Sequence, residues 1–185
     1  MAQAVTHILV PILLISIFRD FYLKKRDKSS FPLHYVLIAG LGGVLPDIDI
    51  IFFWLFGNFD VSLFTTFHKT ITHSIIFPAF FFLIFLIFKN TNAKAKVCNL
   101  GRHKLKLSLI ALMLAFGILT HIFLDSLFWV GVEAFYPFSD INFGYNILQF
   151  IPESLQEAAI ATLDGVLLVI WIIYLEIKHK ISDFI

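Results

Sequence analysis

The chain alternates between long apolar runs and short polar stretches. Five runs stand out: Ala2–Phe18, Leu33–Phe56, Ser74–Phe88, Leu107–Val132 and Ala161–Ile177. A helix needs roughly 20 apolar residues to span a bilayer, with a range of about 17–25. The first, third and fifth runs sit at or below the low end of that range. They read as short spanning helices with polar ends, or as embedded helices that do not cross completely. Gly40, Gly42, Gly43 and Pro46 interrupt the second run. A helix is expected to end or break there, leaving Pro46-Asp47-Ile48-Asp49 on irregular backbone or at a new helix start. The pattern predicts an all-α fold: a polytopic membrane bundle of about five apolar helices, with residues 1–185 forming one domain.

Four polar intrusions break the apolar pattern: Thr6-His7, Asp47 with Asp49, the stretch His68–Ser74, and Thr120-His121 with Asp125. Ionisable groups inside membrane segments are expensive and mark functional sites by default.

Composition strengthens the membrane reading. Of 185 residues, 59% are hydrophobic and 23 are phenylalanine, with a mean hydropathy of +0.88. That is more apolar surface than a core of this size can bury, which makes the lipid bilayer the principal partner. A net charge of +1 argues against nucleic-acid binding, which would need a basic face. The single cysteine, Cys98, excludes an internal disulfide and a Cys-x-x-Cys metal site. The apolar start lacks a preceding basic residue and a small-residue cleavage site, so the first segment is expected to remain in the mature protein.

The basic residues are confined to three places. Arg19, Lys24, Lys25, Arg26 and Lys28 follow the first run. Lys89, Lys94, Lys96, Arg102, Lys104 and Lys106 follow the third, and Lys178 and Lys180 follow the fifth. Only Lys69 falls elsewhere. Five crossings with the N-terminus outside and the C-terminus cytoplasmic place all the others on the cytoplasmic side, as the positive-inside rule requires. At a helix rise of ~1.5 Å per residue, His7 lies ~18 Å from the inner boundary and Asp47 ~25 Å. His73 lies at ~24 Å, with His121 and Asp125 at ~21 and ~27 Å. All fall in the outer third of a ~30 Å hydrocarbon core, the depth expected of residues sharing one site.

His121 and Asp125, at i and i+4, share a helix face. They can ligate one metal together, or Asp125 can orient the imidazole. A bland alternative is a hydrogen-bonded pair bracing two helices. Asp47 and Asp49 would repel near lipid unless a divalent cation neutralised them; a helix N-cap would account for one of them only. His73 and His68 are five positions apart but can approach one cation if His68 lies in a loop. Lys69 can contact an anionic substrate group or be an ordinary solvated lysine. Asp164 is a reserve ligand. Glu133, Asp140, Glu153 and Glu157 read as solvated residues of an outer loop, 133–160. Imidazoles and carboxylates without thiolates suit Zn²⁺, and also Mn²⁺ or Fe²⁺.

Together, the Thr-His near the N-terminus, Leu-Pro-Asp-Ile-Asp at 45–49, His-Lys-x-x-Thr-His-Ser at 68–74 and Thr-His-x-x-x-Asp at 120–125 resemble the YdjM-like family. These are bacterial inner-membrane proteins regarded as metal-dependent hydrolases. The resemblance runs from residue 6 to Pro137-Phe138-Ser139. The family is distantly similar to zinc-dependent phospholipase C and the fungal single-strand nucleases, which implies a helical core of that kind. It implies metal ligation by His7, Asp47, His73, His121 and Asp125, with His68 as a further candidate. Lys69 stands where arginine is frequent in the family. Those enzymes carry further histidines beyond the His-x-x-x-Asp helix and ligate through a processed N-terminus. The only later histidine here is His179, which implies one or two ions rather than three.

Two functions are thus expected. One is a membrane-bound hydrolase of a phosphoester or other ester, acting on a phospholipid or lipid-linked phosphate, with Asp47 or Asp49 as general base and Lys69 at the substrate. The other is a non-enzymatic protein that binds or transports a divalent metal.

Overall fold

The computed structural model describes residues 4–23, 31–50, 55, 70–91, 93–95, 105–128 and 131–180. Within these residues the fold is a helical membrane bundle. Helix α1 spans Ala4–Tyr22 and α2 spans His34–Gly42. Helix α3 spans Ile76–Phe88, α4 Leu107–Phe128 and α5 Glu153–His179. A two-stranded antiparallel ladder, β1 (Lys94–Ala95) with β2 (Leu105–Lys106), lies between α3 and α4. A 3₁₀ turn, Ile147–Phe150, precedes α5.

Three of these helices, α1, α4 and α5, are long and apolar enough to cross a membrane. Helix α3, with 13 residues, is ~20 Å long and α2 only ~14 Å. The second apolar run breaks as expected: α2 ends at Gly42, turns follow, and helical backbone resumes at Ile48.

Helix α5 departs from the expectation in its start. It begins at Glu153, so Glu153 and Glu157 belong to its first two turns and not to a loop. Pro152 precedes it with extended backbone, and Glu153 places a negative charge at the helix's positive end. Much of this helix faces outward. Val169, Ile170, Ile172 and Ile173 are exposed, which suits a surface solvated by lipid.

Glycine sets how closely the helices approach. A Cβ at Gly42 would lie 2.6 Å from the Leu114 carbonyl oxygen, and one at Gly117 would overlap the Ala39 carbonyl. Small residues facing one another are the usual device for close helix packing in lipid. At Gly43 a Cβ would overlap the His7 carbonyl oxygen. The end of α2 is thereby wedged between α1 and α4. Around this contact Ile12, Ile15, Tyr35, Val36, Ala39 and Met113 form the main apolar core.

Candidate metal centre

Four elements bring polar side chains to one place. Helix α1 supplies His7, which is 1% exposed, and α4 supplies His121 at 0%, with Asp125 one turn on. The turns after α2 supply Asp47, and the turn before α3 supplies His73.

The distances are short and similar. His73 Nε2 lies 3.1 Å from His121 Nε2, 3.3 Å from Asp125 Oδ2 and 3.5 Å from Asp47 Oδ1. His121 Nε2 lies 3.5 Å from Asp125 Oδ2 and 3.6 Å from Asp47 Oδ1. His7 stacks on His121 with ring centroids 4.0 Å apart, and its Nε2 is 3.2 Å from Asp125 Oδ1.

The outward-facing nitrogens fix what the inward-facing ones offer. His121 Nδ1 is 2.7 Å from the Gly43 carbonyl oxygen, which can only accept, so Nδ1 carries the hydrogen. The Thr72 hydroxyl donates to Asp49 Oδ2 at 3.0 Å. Its oxygen must then accept from His73 Nδ1, also 3.0 Å away. A neutral imidazole has one N–H and one lone pair. In both rings the lone pair is therefore at Nε2. With both imidazoles neutral, two Nε2 lone pairs and two carboxylate oxygens converge. Such a set repels itself unless a cation or proton sits between.

A divalent ion fits this set. Tetrahedral Zn²⁺ with bonds of ~2.0–2.2 Å separates neighbouring donor atoms by ~3.3–3.6 Å; His73, His121 and Asp125 are 3.1–3.5 Å apart, with Asp47 Oδ1 next to them at 3.5–3.6 Å from the two imidazoles. Hydrogen-bonding the distal ring nitrogen to a backbone carbonyl or another polar group is the usual way of orienting a ligand histidine. Two three-residue groupings have metal-binding spacing, His7/His121/Asp125 and Asp47/His73/His121. Both draw on His121, whose second nitrogen is committed to Gly43. Among the described residues they make up one shared centre. His7 Nδ1 and Asp125 Oδ1 are buried without a hydrogen-bond partner among the described residues, although Asp125 Oδ1 lies 3.2 Å from the other ring nitrogen of His7.

The candidates fall into three groups. His7, Asp47, His73, His121 and Asp125 come together. Asp49 stands behind His73, reaching it through Thr72. His68 and Lys69 lie outside the described residues. Asp164 belongs to neither grouping: it accepts a short hydrogen bond from Thr6, the neighbour of His7. Thr72 and the Gly43 carbonyl are the parts that residue type alone missed. The recurring Thr-His pair was a signal for the first, since Thr6 and Thr72 both donate to carboxylates. In the third pair the Thr120 hydroxyl donates to the Phe116 carbonyl of its own helix.

A helical bundle with three membrane-length helices and a buried His/Asp cluster defines a polytopic membrane protein with a polar centre set among its helices. The family model for the YdjM inner membrane protein matches residues 1–181, and the chain belongs to that family. No curated protein matches the chain, and no solved structure does.

Proposed function

We propose that the protein is a metal-dependent hydrolase of the inner membrane, acting on a phosphoester or other ester of an amphiphilic substrate. The observation that carries this reading is a gradient of burial in the cluster. The side chains of His121, His73 and Asp125 are 0%, 4% and 13% exposed, whereas Asp47 is 23% exposed. Two imidazoles and a carboxylate are a donor set found in catalytic zinc sites, which keep one position open. Asp47 borders that position from the more accessible side. When bound, the ion lowers the pKa of water towards neutrality and polarises the ester oxygen.

The protein's own groups do the rest. His73, His121 and Asp125 hold the ion, with both rings fixed by Gly43 and by Thr72 backed by Asp49. Asp47 takes the proton from the attacking water, the role of general base. Asp49 is a positioning residue in this scheme. Lys69 remains a candidate for the substrate's anionic group. The site's place among membrane helices favours a phospholipid or lipid-linked phosphate. The basic-residue distribution supports an N-terminus outside and a C-terminus in the cytoplasm, with Cys98 open to thiol reagents only from the cytoplasmic side.

The test is hydrolysis of phosphodiester and phospholipid substrates by the detergent-solubilised protein loaded with Zn²⁺ or Mn²⁺. The wild type turns over, and Asp47→Asn keeps its metal but loses turnover. A fully loaded wild type that hydrolyses none of these esters would favour the metal-binding or transport function instead.

A further inference from the structure

The connection between α4 and α5 is rich in aromatic residues and poor in charge. Between Gly131 and Pro152 it carries Phe135, Tyr136, Phe138, Phe143, Tyr145 and Phe150, with Glu133 and Asp140 as its only charged residues. Its apolar side chains divide into two sets. Val132 and Leu148 are buried, whereas Phe138, Phe150, Tyr145 and Ile141 are 85%, 81%, 66% and 65% exposed. Those values exceed the 47–55% of Val169, Ile170, Ile172 and Ile173 on the outward wall of α5. So large a set of exposed apolar side chains marks an interaction surface.

Backbone hydrogen bonds tie this connection to the helices instead of letting it stand clear of them. The Tyr145 N–H donates to the Ser126 carbonyl in the last turn of α4 at 2.7 Å, and the Ile75 N–H, just before α3, donates to the Ala134 carbonyl at 2.8 Å. Val132 joins Ile118 and Ile122 of α4 in one buried cluster, against which Ala134 also packs. Ile122 and Ile118 lie ~9 and ~15 Å along the helix from its end at Phe128. With 22 residues, α4 is ~33 Å long, about the thickness of a ~30 Å hydrocarbon core. The connection is thereby held at the edge of that core. Backbone close to lipid has to satisfy its own hydrogen bonds. Val132 and Phe143 exchange both bonds of a β-bridge, at 3.3 and 2.9 Å, and turns close at Tyr136, Phe138 and Ile151. The Gln156 amide donates to the Leu148 and Ile151 carbonyls, each at 3.1 Å.

We infer that the α4–α5 connection is seated in the membrane interface, with Phe138, Ile141, Tyr145 and Phe150 inserted among the headgroups and upper acyl chains of the leaflet on the His/Asp centre's side. That side follows from the backbone ties, since Ile75 is two residues beyond His73 and Ser126 is next to Asp125. Aromatic and apolar side chains at this level are the usual interfacial anchors. A soluble partner would need the patch clear of the membrane, whereas its backbone anchors lie within the span of α4. The inference goes beyond the hydrolase reading and needs neither ion nor turnover.

The experiment places an environment-sensitive nitrobenzoxadiazole label on Phe138→Cys or Phe150→Cys, in a Cys98→Ser background of the full chain. The protein is reconstituted in phosphatidylethanolamine/phosphatidylglycerol vesicles. Val169→Cys, on the outward wall of α5, serves as the deep reference and the free label–cysteine adduct as the aqueous one. Two quenchers are compared: iodide in the buffer, and phosphatidylcholine carrying a nitroxide on its headgroup or near the end of its acyl chain. Labels at 138 and 150 are expected to be quenched several-fold less by iodide than the free adduct. The headgroup nitroxide should quench them more strongly than the chain-end one, the reverse of the order at 169. Both positions are read because one variant alone could fail to fold. Iodide quenching equal to that of the free adduct at both positions would put the connection in water and overturn the inference. Protection from iodide without quenching by either lipid nitroxide would mean that a second copy or another protein covers the patch, which overturns it equally.

Discussion

Among the described residues, polar clusters lie at opposite ends of α1, and they differ in how their hydrogens are distributed. At one end Arg19, 5% exposed, donates from Nε to the Phe31 carbonyl at 2.8 Å and lies 3.5 Å from Asp20 Oδ1. The Tyr174 hydroxyl of α5 reaches Asp20 Oδ2 at 2.8 Å and the Ser16 carbonyl at 3.1 Å. Donors there face acceptors, and the cluster ties α1 to α5 without outside help. At the other end, Asp47, His73, His121 and Asp125 turn acceptors towards one another. Polarity within an apolar segment is common to both. What separates the two is that, with neutral imidazoles, the second cluster has more lone pairs than hydrogens, an excess that a cation or a proton relieves.

This contrast can be broken or sharpened by substitution. The largest effect is expected from His121→Ala, which removes a donor common to both metal groupings; metal affinity should fall by at least ~100-fold, beyond the 10–100-fold of an outer-shell partner. Isothermal titration with Zn²⁺ reads this directly. Thr72→Val cuts the link from Asp49 to His73 and should weaken binding ~10–100-fold. Thr72→Ser restores it, a rescue that a purely structural role for the residue does not predict. Thr6→Val leaves the Asp164 carboxylate buried without its hydroxyl donor, costing ~1–3 kcal/mol in detergent unfolding. The smallest effect belongs to the opposite end: Tyr174→Phe should cost about 0.6 kcal/mol and leave metal affinity unchanged. Acidification should release metal from the His/Asp centre as protons compete for the imidazole nitrogens. A metal titration repeated at stepwise lower pH tests it.

Much of this was legible in the residues. The apolar runs foretold the helices, and the glycines with Pro46 foretold the break after α2. Of the residues in the four intrusions, His7, Asp47, His73, His121 and Asp125 come together. The start of α5 was hidden. Its first turns, Glu153-Ser154-Leu155-Gln156-Glu157, are polar and drop out of a hydropathy reading, although Glu, Leu and Gln are good helix formers. Asp49 was misleading for a different reason. Two residues from Asp47, it reads as half of a carboxylate pair, yet the backbone turn sends it to Thr72. Pairing across elements that far apart in sequence carries no local pattern. The Gly43 carbonyl was equally hidden, since backbone acceptors have no signature in residue type.

The central claim is that the acceptor-rich cluster holds a divalent cation. It is tested most directly by metal analysis of the protein purified under metal-replete conditions, beside His73→Ala, Asp47→Ala and Tyr174→Phe. About one tightly held ion per chain is predicted for the wild type and Tyr174→Phe. His73→Ala should be nearly empty, and Asp47→Ala should retain metal on the three more deeply buried ligands. Substoichiometric metal in the wild type would contradict the account.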